Sequence, residues 1–148
     1  VRSGHPGDIE ALAPVAEASY TDSRFFTDPR FPRDKCRELY RIWLERSFDD
    51  YADNVRVAVD GDRPVGFVTC RLATPEIGEI GLVGVDSAYR GRGIGGLMTN
   101  DAVRWFAGQG VKTVRVPTQG RNLGAQRLYQ ACGFRTASIE LWYHRWFV

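Results

Sequence analysis

Apolar and polar positions along this chain follow two periods, and the switches between them mark its elements. The chain opens at Val1 in what reads as a first strand, leaving room for residues upstream. "PGDIEAL" predicts a turn and then a helix capped by Asp8, with Ile9, Leu12, Ala13 and Ala16 on one face. Pro14 lies inside that pattern and predicts a short or kinked helix. "TDSRFFTDPRFPRD" then reads as a polar-aromatic loop. From about Arg33 to Phe48, Cys36, Leu39, Tyr40, Trp43, Leu44 and Ser47 recur at helical spacing, with Arg37, Glu38, Arg41, Glu45 and Arg46 on the other side.

The period then shortens to two. Val55–Val59 and Val65–Leu72 predict a hairpin turned by "DGDRP", and "EIGEIGLVGVD" a strand whose glycines suggest bulging or a close backbone neighbour. After "RGRGIGG", Ile94, Leu97, Met98, Ala102, Trp105 and Phe106 define a long helix to about Gln109, ended by Gly108 and Gly110. "VKTVRV" reads as a strand, "NLGAQRLYQAC" as a helix closed by Gly133, and "ASIELWYHRWFV" as one or two aromatic strands. Hairpins mixed with crossovers predict an α/β chain with a mixed sheet rather than a uniform βαβ series.

Composition narrows the class. The 148 residues fit a single domain spanning 1–148, large enough for its own core. A net charge of +2 gives no reason to expect nucleic acid or a membrane surface as partner. No apolar run approaches the ~20 residues of a membrane span, and no signal peptide opens the sequence, so the expected compartment is the cytoplasm. Cys36, Cys70 and Cys132 are scattered without metal-type spacing and read as reduced thiols, and His5 and His144 are far apart. No metal site is expected.

The glycine stretch Arg90–Gly96 contains G-x-G-x-x-G at Gly91, Gly93 and Gly96, the spacing of a dinucleotide fingerprint. That reading fails on context. "DSAYR" separates the preceding strand from Gly91, and "RVPTQGR", about twenty residues on, holds no carboxylate. No Gly-Lys-Ser/Thr follows for a Walker loop. The phosphate logic survives. Gly91, Gly93 and Gly95 allow the backbone to curl around an anion, the loop opens a long helix at its positive end, and Arg90 and Arg92 add charge.

"VGVDSAYRGRGIGGLM" resembles the acyl-CoA pyrophosphate motif of the GNAT acyltransferase superfamily, Arg/Gln-x-x-Gly-x-Gly/Ala, matched by Arg90, Gly93 and Gly95. "NLGAQRLYQACGF" resembles the family's second segment, matched by Asn122, Ala125, Tyr129, Gly133 and Phe134. The resemblance covers essentially the whole chain. It implies a GNAT fold: a central, mostly antiparallel mixed sheet of six or seven strands, splayed between strands 4 and 5 and flanked by four helices. It also implies acetyl-CoA as cosubstrate, with a small primary amine as acceptor, and leaves a homodimer open.

By the same resemblance Val83, Gly84 and Val85 pair through their backbone with the pantetheine arm, and one N–H polarises the thioester carbonyl. Arg90, Gly91, Arg92, Gly93, Ile94, Gly95 and Gly96 hold the pyrophosphate, and Asn122 contacts the cofactor or caps its helix. Pro117, which lacks a ladder N–H, falls where the strands part. Tyr129 is expected both to contact the cofactor and to donate the proton to the leaving thiolate; at unperturbed pKa values of ~10 and ~8.5, full transfer is uphill by ~2 kcal/mol. Many relatives that acetylate peptide amines carry a glutamate where Pro117 stands. Glu79 is the remaining base, provided no bulge removes it from the face of Val83 and Val85, with ordered water as the alternative.

For the acceptor, "VKTVRVPTQGRN" and "IELWYHR" resemble a branch of the family that acetylates an amino group on a nucleotide-linked sugar. There Arg24, Arg30 and Arg33 would meet a diphosphate, and Phe25, Phe26 or Phe31 would stack on a base. Another small amine, a protein amine, or a non-catalytic acyl-CoA sensor remain the alternatives.

Overall fold

The computed structural model describes residues 1–147. Five strands form one sheet in the order β1-β2-β3-β4-β5: β1 (Arg2–Ser3), β2 (Asn54–Asp60), β3 (Arg63–Thr74), β4 (Ile77–Val85) and β5 (Thr113–Arg115). The first three junctions are antiparallel and β4–β5 is parallel. Helices α1 (Ile9–Ser19) and α3 (Arg33–Asp49) cover one face, where Leu12, Ala16, Leu44, Val57, Phe67 and Leu82 form the core. Helix α4 (Ile94–Gly108) covers the other, packing Met98, Ala102 and Phe106 on Val68, Cys70 and Ile80. Helix α5 (Leu123–Ala131) lies against α4.

Several expectations are corrected. The sheet has five strands, not six or seven, because residues 135–147 join no ladder. Ile139, Leu141 and Tyr143 stay exposed, and the segment is tied by its polar tips: His144 Nε2 and Trp146 Nε1 hydrogen-bond Asp28 at 2.7 and 2.8 Å. Val148, the last residue of that expected strand, lies outside the described residues. Among the described residues there are five α-helices rather than four, since the loop expected at 21–34 contains the single turn α2 (Arg24–Thr27), which places Phe26 in the core. β5 is half its expected length.

Asp8 does not cap α1 with its side chain, which accepts the His5 N–H at 3.0 Å in the turn before the helix. Its buried carboxylate also takes the Arg2 guanidinium in two bonds of 2.7 and 2.8 Å, which lowers its pKa. Helix α1 runs through Pro14 to Ser19, with the proline on the exposed side and Leu12, Val15 and Ala16 buried. All three cysteines are free, and burial pushes the Cys70 thiol up to about 12.

Candidate functional site

The glycine loop is a backbone cradle. Gly91 and Gly93 have φ of 76° and 78°, in the left-handed region that only glycine enters without strain. Gly93 is the N-cap of α4, and the first intrahelical bond runs from Leu97 N–H to Gly93 O at 3.1 Å. The amides of Ile94, Gly95 and Gly96 therefore have no carbonyl within the helix, at the end where the dipole is positive. Arg90 ties this loop to β4 by donating from Nε to the Val85 carbonyl at 3.1 Å, and Arg92 lies over the Tyr89 ring at 5.1 Å. Gly95 differs from the expectation. It is helical, and its missing Cβ makes room for Leu128 of α5, which a Cβ would approach to 3.3 Å.

β4 runs from one end of the site to the other. Its pairing with β5 stops at Glu79↔Arg115, two residues before Pro117, so from Ile80 to Val85 the strand has an open edge. Leu82 N–H and Asp86 N–H both point to β3, to Thr69 Oγ1 (2.8 Å) and Val65 O (2.8 Å). Strand alternation then turns the N–H groups of Val83 and Val85 to the open edge. The Val83 carbonyl is already taken by Tyr20, whose hydroxyl donates to it at 3.0 Å. Tyr20 was not singled out from sequence, and Thr69 was not either. Both act through contacts more than ten residues away.

A β-bulge breaks the register of β4. Cys70 pairs with Ile80 and Val68 with Val83, so β4 spends one extra residue at Gly81–Leu82. Ile80 and Val83 consequently both face α4, while Leu82 faces α1 and α3. The condition placed on Glu79 thus fails: the bulge puts it on the opposite face from Val83 and Val85. It lines a cleft of about 240 Å³ with Trp43, Tyr51, Thr69, Arg71 and Pro117. Its Oε2 accepts from Arg71 Nη2 at 2.5 Å and Nε at 3.2 Å.

Tyr129 projects from α5 and is buried, beside Phe134 at 5.9 Å. Desolvation, with a smaller contribution from Cys132, pushes its pKa up to about 12, so it holds its proton at neutral pH. It neighbours Tyr20, whose own pKa is raised well above 10 first by burial and then by Tyr129. Asn122 caps α5, accepting from Ala125 N–H at 3.0 Å. Of the loop expected to meet a nucleotide, Phe26 is buried and Arg33 donates to its carbonyl. Arg24 lies over Trp142 at 4.9 Å, Arg30 over Trp146 at 5.9 Å, and Phe31 packs on Trp146 at 5.0 Å. These side chains meet the C-terminal segment. Among the described residues no group of three or more His, Cys, Asp and Glu converges as a metal site, and no helix is long and apolar enough to cross a membrane.

An open strand edge leading to a glycine cradle at a helix start is an arrangement built for an extended, phosphate-bearing ligand. Residues 18–134 match the Acetyltransferase (GNAT) family, and the chain belongs to it. It is similar to the spore coat polysaccharide biosynthesis protein SpsD of Bacillus subtilis, at 29% identity over 95% of this chain and 48% of that protein. It is also similar to dTDP-fucosamine acetyltransferase of Escherichia coli, at 31% identity over 93% of this chain and 59% of that one. The chain thus spans about half the length of these curated relatives. Among solved structures, the PaiA N-acetyltransferase of Thermoplasma acidophilum in complex with coenzyme A superposes with a TM-score of 0.76 at 17% identity, covering 94% of this chain and 91% of that one. That likeness concerns the fold.

Proposed function

We propose that this domain transfers the acetyl group of acetyl-CoA directly to the primary amine of an amino sugar carried on a nucleotide. The carrying observation is the open edge of β4 from Ile80 to Val85, which ends at the free amides of α4. In this reading the pyrophosphate rests on Ile94, Gly95 and Gly96 N–H, with Gly91 and Gly93 shaping the loop and Arg90 and Arg92 adding charge. The backbone around Gly84 meets the pantetheine arm, and an outward N–H of Val83 or Val85 polarises the thioester carbonyl. Asn122 fixes the start of α5 and so the position of Tyr129.

The amine nitrogen attacks the carbonyl carbon, the C–S bond breaks, and the sulfur leaves as thiolate while nitrogen sheds a proton. Tyr129 donates a hydrogen bond to that sulfur. With Tyr129 near 12, transfer to a free thiolate of pKa ~8.5 would be uphill by about 5 kcal/mol. The proton therefore moves only where the same desolvation raises the sulfur's own proton affinity. Glu79 is engaged by Arg71 through Oε2, so in this reading ordered water takes the proton from the nitrogen.

The two curated relatives, by name, belong to polysaccharide biosynthesis and fucosamine acetylation, which supports a sugar amine as acceptor. The test is a turnover screen that follows thiol release from acetyl-CoA with dTDP-linked amino sugars, free amino sugars, polyamines and peptides. Turnover highest on the nucleotide-linked sugars is expected. Tight acetyl-CoA binding with no turnover on any amine, and no effect of Tyr129→Phe, would sink the reading.

A further inference from the structure

Where β5 leaves β4, two side chains take over the work of a neighbouring strand. Strand alternation puts the N–H and C=O of both Val83 and Val85 on the open edge, since the Leu82 and Asp86 amides bond towards β3. Both outward carbonyls are engaged. Arg90 Nε donates to the Val85 carbonyl at 3.1 Å, and the Tyr20 hydroxyl donates to the Val83 carbonyl at 3.0 Å. Among the described residues the two outward N–H groups have no partner, so donors are the unmet groups of this edge. Such an edge suits a ligand that brings carbonyl oxygens, as the amides and thioester of an acylated pantetheine do.

Tyr20 is held firmly at this place. It is the C-cap of α1, and Ser23 N–H closes a turn onto its carbonyl at 3.0 Å. Its ring stacks on Tyr40 of α3, with centroids 4.3 Å apart and 19° between the planes. Gly84 lets the end of α1 come this close, because a Cβ there would approach Ser19 Oγ to 3.3 Å and Phe67 Cε1 to 2.6 Å. Burial raises the Tyr20 pKa well above 10, so the hydroxyl keeps its proton and stays a donor.

We infer that Tyr20 is a positioning residue: its hydroxyl replaces the missing strand at Val83 and so aims the Val83 N–H at the thioester carbonyl. The inference rests on the acetyltransferase reading and adds which amide polarises the carbonyl and what holds that amide. A pantetheine arm entering from the α4 cradle passes Val85 first, because Arg90 joins Val85 to the cradle loop. Its sulfur end then lies at Val83, next to Tyr20 and its neighbour Tyr129. The Leu82–Val83 peptide, which carries the N–H in question, follows the bulge and lies between two pinned peptides. Thr69 Oγ1 holds the Leu82 amide on one side, and Tyr20 holds the Val83 carbonyl on the other. Charge develops on the thioester oxygen only as the amine attacks, so a donor already in line favours the transition state. Without the Tyr20 bond the peptide can turn out of line, and a displacement of about 1 Å costs up to about 100-fold in rate.

The test binds acetyl-CoA, isotope-labelled at the thioester carbonyl carbon, in the absence of acceptor and reads the carbonyl stretch by infrared difference spectroscopy. Thiol-release kinetics with the best acceptor of the turnover screen give the second readout. Tyr20→Phe deletes one oxygen and keeps the ring stacked on Tyr40, and Tyr40→Phe makes the same deletion one ring away. Binding to the original protein should lower the stretch, and Tyr20→Phe should return it towards the free value. In Tyr20→Phe kcat should fall about tenfold with both KM values within twofold, while Tyr40→Phe should change neither readout. A stretch that does not move on binding, or that moves equally in the original protein and Tyr20→Phe, overturns the inference. So does an unchanged kcat in Tyr20→Phe, or an equal fall in Tyr40→Phe. A stretch lowered on binding and released in Tyr20→Phe, with no turnover on any amine, retains the aim of Val83 and sinks the transferase reading instead.

Discussion

The two faces of the sheet present different kinds of surface. On the α4 face the cradle is backbone: amides of Ile94, Gly95 and Gly96, shaped by left-handed Gly91 and Gly93. On the α3 face the cleft is side chains brought from α3, the segment after it, β3, β4 and the segment after β5. A backbone cradle fits what all acyl-CoA molecules share. A side-chain cleft changes with each residue that lines it, so the proposed acceptor reading predicts that acceptor choice changes with this face and not with the other.

That contrast is broken most sharply at Tyr129, the proposed proton donor. Tyr129→Phe should lower kcat about 100-fold and leave both KM values within twofold, measured by thiol release. Because burial holds the Tyr129 pKa near 12, the activity of the original enzyme should lose nothing to tyrosine ionisation near pH 10. A basic limb at pH 10 that disappears in Tyr129→Phe would refute the buried-donor account.

Next in size is damage confined to the α4 face. Gly93→Val forces a β-branched residue to φ of 78°, and Arg90→Glu reverses the loop's charge. Each should weaken acetyl-CoA binding about tenfold by calorimetry, without changing the KM for the acceptor. Equal losses for both substrates would erase the division between faces.

Thr69→Val sharpens the comparison from the middle. It strands the buried Leu82 N–H that now bonds Thr69 Oγ1, at a cost of about 1–3 kcal/mol read by denaturant unfolding. Both KM values should move together, since the bulge sets the phase of both halves of β4.

The smallest effect lies outside both sites. Asp28 is held at a pKa of about 2, first by the Arg30 amide and then by Trp146 and His144. The folded value is below the unfolded one, so the C-terminal attachment is complete above about pH 4 and is lost as pH falls toward 2. Asp28→Asn should abolish that transition in tryptophan fluorescence while leaving acetyl-CoA binding unchanged.

The α4 face was legible because Arg90, Gly91, Gly93 and the start of α4 are contiguous, and left-handed turns and free helix amides follow from local sequence. The hairpin β2–β3, α3 and α4 were legible for the same reason, being set by periodicity. The α3-face cleft was not. Trp43, Tyr51, Arg71 and Glu79 are ordinary residues one by one, and only strand register brings them together. The glycines of β4 announced an irregularity, but which residue slipped depended on Thr69 across the ladder. The aromatic alternation in "SIELWYHRW" expressed strand propensity, which forms no strand without a neighbour to pair with. Asp28 offered its tip residues hydrogen bonds elsewhere.

The slip at Gly81–Leu82 divides β4 into two reading frames. Removing one residue between Glu79 and Val83 would rotate every upstream side chain through the sheet, carrying the Glu79 carboxylate from the cleft into the α4 core. Keeping the extra residue lets the upstream half drift in sequence while the downstream half stays fixed in phase. A substitution on either side of the slip therefore acts on one face at a time, whereas a deletion at the slip acts on both.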